Sequence, residues 1–220
     1  MTQSVWTEVD DYISGLLIGA DPALDGALAA SDRAGLPKIA VSPSQGKLLN
    51  LLARIHGARK ILEIGTLAGY SAIWLGRALP EGGRLITLEY DPHHAEVATA
   101  NIAAAGLADR VEVLVGAALD TLPTIAGEGP FDLFFIDADK VSNPAYFRWA
   151  LEHSRPGSVI IVDNVVRDGK VVDTDSTDPS VLGTRELGSL IANEPRVSAT
   201  MIQTVSDKGY DGFAIALVEG

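Results

Sequence analysis

Two acidic runs in this chain end short apolar stretches: Asp137-Ala138-Asp139-Lys140 follows FDLFFI, and Asp163-Asn164 follows SVIIV. Apolar runs of this length suit strands buried on both faces, so these polar groups fall at strand ends. Asp137, Asp163 and Asn164 offer hard oxygen donors that converge if the two strands are neighbours. Such an incomplete oxygen shell suits a magnesium-type ion and leaves positions for water or substrate. Asp and Asn at a strand end also cap the helix that follows. The Asp-Asn doublet and its pairing with a second acidic strand end favour the metal. Lys140 stands beside the cluster as a candidate base. A divalent ion nearby would favour its neutral amine, and neighbouring carboxylates would oppose this.

These groups need a scaffold, and it is organised around Lys60 to Leu79, KILEIGTLAGYSAIWLGRAL. Ile61, Leu62 and Ile64 read as a buried strand, Gly65 and Gly69 bracket a turn, and from Tyr70 the apolar spacing becomes helical. A strand, a glycine turn and a helix place free backbone N–H groups where a nucleotide-like ligand can lie. The turn departs from the dinucleotide fingerprint, because its glycines are spaced G-x-x-x-G and the middle glycine is missing. It also lacks the Gly-Lys-Ser/Thr ending of a P-loop. Glu63 is expected to put a carboxylate at the mouth of the site. Glu89, at the end of the next strand, lies near the spacing of an acid that accepts from ribose hydroxyls. Gly116-Ala117-Ala118 ends the third strand with little bulk, which lets a flat ring approach the backbone.

The rest of the chain repeats this alternation. Three helices are expected before the first strand: Val5 to Ile18, one from Asp21-Pro22 to near Gly35, and Ser44 to His56. This preface, residues 1–57, either packs on the sheet or covers the ligand site. After the glycine turn and a helix reaching Leu79, strands are expected at Arg84–Tyr90, Val111–Val115, Phe131–Asp137 and Ser158–Val162. Helices alternate with them at Pro92–Ala105, Ala118–Ile125, Pro144–His153 and Pro179–Asn193. Val197–Val205 and Gly212–Glu219, separated by Ser206-Asp207-Lys208-Gly209, must form an antiparallel hairpin. The expectation is one α/β domain, Rossmann-like and doubly wound, with a mostly parallel seven-stranded sheet in residues 58–220.

Composition narrows the function classes. The chain has 220 residues, 47% hydrophobic and 21% charged, with a formal charge of −12. That charge argues against nucleic acid or an anionic membrane surface as a partner. There are no cysteines, which excludes disulfides, thiolate metal sites and cysteine nucleophiles. No apolar run approaches membrane-spanning length and the N-terminus lacks a signal-like pattern, so a soluble cytoplasmic protein is expected. His93 and His94 read as surface residues and His56 and His153 as helix-end residues, while Trp149 and Tyr146 reach either the core, which is favoured, or an acceptor pocket.

Taken together, VSPSQGKLL, LEIGTLAGYSA, TLEYD, GAALDTLP, FIDADK and VDN, in this order, are specific. From Val41 to its C-terminus the chain resembles the class I S-adenosylmethionine-dependent O-methyltransferases, in particular the cation-dependent catechol and caffeoyl-CoA group with its bacterial relatives. The resemblance implies S-adenosylmethionine as methyl donor and Mg2+ or another divalent cation. It implies Glu63, Gly65, Thr66 and Ser71, backed by Val41, as contacts to the methionine part, Glu89 to the ribose and Ala118 beside the adenine. Asp137, Asp163 and Asn164 match metal ligands, Asp137 also facing cofactor and substrate, and Lys140 matches the catalytic base. Asp168 falls where some relatives contact substrate. The implied acceptor is a catechol-like hydroxylated aromatic, and the implied assembly is a homodimer. A nicotinamide-dependent oxidoreductase on a related sheet and a non-catalytic binding protein are the competing readings.

Overall fold

The computed structural model describes residues 2–220. Seven strands form one sheet: β1 (Lys60–Ile64), β2 (Arg84–Glu89), β3 (Val111–Val115), β4 (Leu133–Ile136), β5 (Val159–Asp163), β6 (Val197–Ser206) and β7 (Gly209–Val218). Their order is β3-β2-β1-β4-β5-β7-β6, with the first five parallel. β7 runs antiparallel between β5 and β6. The chain reverses its direction of travel across the sheet between β1 and β4, the switch point where open α/β sheets bind ligands.

Among the described residues eight α-helices accompany the sheet: α1 (Gln3–Leu17), α2 (Pro22–Arg33), α3 (Pro43–His56), α4 (Tyr70–Gly76), α5 (Pro92–Ala104), α6 (Ala118–Thr121), α7 (Asn143–Glu152) and α8 (Pro179–Ala192). Four of them start the same way, with a polar cap ahead of a first-turn proline. Asp21, Ser42, Asp91 and Asp178 each accept a backbone N–H through the side chain, and proline costs nothing where the helix has no N–H to use. Alternation in the strands feeds two cores. Leu62, Ile64, Phe134, Ile136, Ile160 and Val162 pack with Phe147, Leu151 and Leu187 of α7 and α8. Ile61, Leu85, Phe135 and Ile161 pack on the other face with Leu49, Ile73, Leu75 and Ile102 of α3, α4 and α5. Both faces are covered, as a parallel sheet requires.

Three boundaries differ from the sequence expectation by more than two residues. α4 ends at Gly76 rather than Leu79, and all seven of its residues are buried, so it has no solvent face for an amphipathic pattern to report. A Cβ at Gly76 would lie 2.8 Å from Val111 Cγ2, so the helix seats directly on β3. The expected helix Ala118–Ile125 is one α-turn that passes into a 3₁₀ helix, Leu122–Glu128. The hairpin is tighter than expected: Ser206 pairs with Gly209, leaving only Asp207 and Lys208 at the tip. No described helix is long and apolar enough to cross a membrane.

Candidate active site

Ladder hydrogen bonds continue just past the strand ends and bring those ends level. Gly65 N donates to Leu88 O at 2.9 Å, Asp137 N to Ile64 O at 2.8 Å and Gly116 N to Glu89 O at 2.8 Å. The carboxyl ends of β1 to β4 therefore share one rim, and a cavity of about 960 Å³ opens above it. Val41, Gly65, Thr66, Ser71, Glu89, Ala118, Asp137, Lys140 and Asn164 all line this cavity. Val41 arrives on the segment between α2 and α3, so part of the N-terminal preface does cover the site.

Gly65 is fixed by its neighbours. Its φ is +101°, and a Cβ there would lie 2.2 Å from the Asp137 carbonyl oxygen. Only glycine holds this backbone where β1 and β4 meet. Glu89 anchors the loop that follows: its Oε2 accepts from Thr66 N at 3.1 Å and Leu67 N at 2.7 Å, and its Oε1 accepts from Asp91 N at 3.0 Å. The acid expected at the ribose thus also shapes the glycine turn. His94 is drawn in beside it, with Nδ1 3.5 Å from Glu89 Oε1, and lines the cavity instead of lying free on the surface.

Glu63 corrects an expectation. It is fully buried and does not line the cavity, because strand alternation turns it under the rim toward α4. It accepts from Thr87 Oγ1 at 2.6 Å, while its Oε1 is buried without a partner. Burial pushes its carboxyl up to about 8, against the neighbouring Ser71 and Thr87 hydroxyls, which lower it. An acid raised in the folded state stabilises that state fully below its unfolded value near 4.5 and loses the contribution as pH rises toward 8. Urea unfolding of the ligand-free protein between pH 5 and 8 is expected to show stability falling with pH through this group. Glu63→Gln should flatten the slope, and an unchanged slope would refute the assignment.

β4 and β5 are hydrogen-bonded neighbours, so Asp137 and Asp163 do come together. Burial and the nearby Asp137 charge push the Asp163 carboxyl up to about 7. Gln45, at the start of α3, donates to Asp163 Oδ2 at 2.8 Å, and Asn164 N donates to its Oδ1 at 2.9 Å. Asn164 has a φ of +58°, a left-handed conformation that Asn tolerates and that clusters at functional sites. The capping alternative fails for both acids. α7 starts at Ser142 without a side-chain cap, and α8 is capped by Asp178. Among the described residues no three His, Cys, Asp or Glu side chains converge on a metal-sized site. The donor set consists of two crowded carboxylates and an amide, hard oxygen chemistry that fits a magnesium-type cation.

Lys140 Nζ lies 2.8 Å from Asp137 Oδ1. It does not pair with Asp139, which accepts from Tyr146 Oη at 2.6 Å and from Ser142 N at 3.1 Å. Tyr146 therefore serves both the core and the cavity wall. Trp149 stacks on His153 at 3.8 Å, away from the site. Asp168 does not line the cavity, whereas its neighbour Arg167 does. The backbone turns left-handed at both, with φ of +57° and +55°, which directs the Asp168 carboxylate toward Gly209. Sequence reasoning also missed Gln45 and Lys208. Gln45 lies within the VSPSQGKLL motif, whereas Lys208 carried no signal beyond its place in a turn.

A glycine-turn cavity at the switch point, with paired acids and a lysine on its rim, is where an open α/β sheet of this Rossmann-like kind binds a nucleotide-like ligand. Residues 22–214 match the O-methyltransferase family, and the chain belongs to it, the S-adenosylmethionine-dependent class that the motifs resemble. A catechol O-methyltransferase of Niastella koreensis is 52% identical over 221 residues, covering 100% of both chains. One from Mycobacterium tuberculosis is 56% identical, covering 96% of this chain and 95% of that one. The structure of an O-methyltransferase from Bacillus cereus in complex with SAH superposes with a TM-score of 0.98 at 57% identity, covering 99% of this chain and 100% of that one. TomG of Streptomyces achromogenes, an O-methyltransferase involved in tomaymycin synthesis and solved with SAM, gives a TM-score of 0.96 at 53% identity, covering 100% of both. Membership sets aside the nicotinamide-dependent oxidoreductase.

Proposed function

We propose that the protein transfers the methyl group of S-adenosylmethionine to a hydroxyl of a catechol-like small molecule, assisted by a divalent cation, with Lys140 as general base. The observation that carries this reading is the meeting of Asp137, Asn164 and Lys140 on the cavity beside the Gly65 turn, with Asp163, itself buried and not lining the cavity, at the end of the neighbouring strand. Gly65, Thr66, Ser71 and Val41 would hold the methionine part of the donor, Glu89 the ribose hydroxyls and Ala118 the adenine. Asp137, Asp163 and Asn164 would hold the cation, with Gln45 fixing the Asp163 carboxylate. When bound, a divalent cation makes a coordinated hydroxyl more acidic. Lys140, in its neutral amine form, takes the hydroxyl proton and becomes an ammonium beside Asp137, and the cavity walls orient the acceptor oxygen toward the donor while excluding water. No covalent enzyme intermediate is required.

Chelator is expected to abolish methyl transfer and magnesium to restore it. Asp163→Ala and Asn164→Ala should raise the metal concentration required while S-adenosylmethionine affinity, read by calorimetry, stays nearly intact. Full activity in excess chelator would eliminate the cation and leave a purely acid–base methyltransferase.

We further propose a homodimer. No residue of α1 is buried, and Val9, Tyr12, Leu16 and Leu17 stay 49–71% exposed along it. An apolar helix face of this kind suits two-fold pairing. Light scattering is expected to give twice the 23.1 kDa chain mass, and a clean monomer at micromolar concentration would reject it.

A further inference from the structure

Although the chain carries a net charge of −12, four basic side chains line this cavity: Lys38, Lys140, Arg167 and Lys208. They are not equivalent. Lys140 is held by Asp137. Lys38 stands at the outer rim, 80% exposed and paired with Asp32 at 3.2 Å. Lys208 and Arg167 are less well matched. Lys208 Nζ donates to the Ala40 carbonyl oxygen, and among the described residues no carboxylate oxygen lies within 4.0 Å of it. Arg167 meets Asp211 only at 3.9 Å, and its Nε is buried without a hydrogen-bond partner.

The acids on the same cavity wall, in contrast, are all engaged within the protein. Glu89 is taken by backbone N–H groups of the glycine loop, Asp139 by Tyr146 and Ser142, and Asp137 by Lys140. None of these acids pairs with Lys208 or Arg167, so these two cations are left unmatched on the cavity wall. Partial burial lowers the affinity of the Lys208 amine for its proton, opposed by the charges of Asp207, Asp137 and Asp163.

Both cations are also held in place by the fold. Gln3 Nε2 donates to Ser206 O and Asp207 O, each at 2.9 Å, and Asp207 N donates to Asp10 Oδ2 at 2.8 Å, so α1 grips the hairpin tip that carries Lys208. Asp211 Oδ1 accepts from Val166 N at 2.9 Å and Arg167 N at 3.0 Å. Asp168 N donates to Tyr210 O at 3.2 Å, tying the Arg167 loop to the same hairpin. Two unmatched cations thus come to one cavity wall on two elements that are bonded to each other.

We propose that Lys208 and Arg167 form an anion subsite, so that the preferred acceptor carries a carboxylate in addition to its reacting hydroxyl. This rests on the O-methyltransferase reading above and narrows its substrate class. The acidic surface repels anions at a distance, so selection of an anionic acceptor must come from these local donors, whose charge-assisted hydrogen bonds fit a carboxylate.

The test compares methyl transfer to 3,4-dihydroxybenzoate and to its methyl ester, with magnesium present, in the wild type, Lys208→Met, Lys208→Arg and Arg167→Met. The wild type is expected to favour the acid in kcat/KM. Lys208→Met should lower the acid-to-ester ratio about 10–100-fold, mainly through KM for the acid, the effect of losing a charged hydrogen bond. Arg167→Met should lower the ratio in the same direction, and Lys208→Arg should restore most of it. A ratio that is the same in wild type and Lys208→Met overturns the anion subsite alone. Failure of the wild type to methylate either compound overturns the catechol reading and this inference with it.

Discussion

Lys140→Met is expected to lower kcat by roughly 10²–10⁴-fold, the usual span for loss of a general base. Lys140 Nζ is 2.8 Å from Asp137 Oδ1 and its side chain is only 11% exposed, so it is not a freely solvated surface group. Calorimetry should show donor affinity retained, since Lys140 is no part of the Gly65 turn. Acceptors of graded acidity separate deprotonation from positioning. If Lys140 removes the proton, the loss shrinks as the acceptor hydroxyl becomes more acidic. An equal loss across the series would mean that Lys140 only holds the substrate or balances Asp137.

Gly65→Val is expected to remove measurable S-adenosylmethionine binding and to destabilise the fold by about 2–6 kcal/mol. That range combines a left-handed backbone imposed on a branched residue, about 1–3 kcal/mol, with overpacking of about 1–3 kcal/mol. The Cβ would meet the Asp137 carbonyl at 2.2 Å, so β1 and β4 would have to part where the proposed donor and metal sites join. Glu89→Ala gives a milder, folded comparison. It should weaken donor binding by about 1–3 kcal/mol, through lost ribose contacts and through release of the Thr66 and Leu67 N–H groups. Unchanged affinity in both variants by calorimetry would remove this cavity as the donor site.

The sequence by itself determined the alternation of elements, the glycine turn and the class of chemistry. Apolar runs of strand length, Asp- or Ser-capped prolines and G-x-x-x-G are local signals, produced by backbone geometry that needs no distant partner. Asp137, Asp163, Asn164 and Lys140 were legible for the same reason: each lies at or within four residues of a strand end, and strand ends share one edge of a parallel sheet. Strand order was not legible. Only the packed structure inserts β7 between β5 and β6, because pairing depends on which edges remain free. That insertion delivers Lys208 and the Asp211-bonded Arg167 to the cavity. The side of the rim on which an acid lies was also decided by tertiary structure. Glu63 and Glu89 both sit at strand ends, yet alternation and the covering α4 bury Glu63 beneath the rim with a raised affinity for its proton, whereas Glu89 lines the cavity and ties down the turn. Gln45 reaches Asp163 across 118 positions of chain, a contact that no local pattern encodes. Periodicity reports how a segment folds against its nearest neighbours, and contacts of that range exist only once the helices have closed over the sheet.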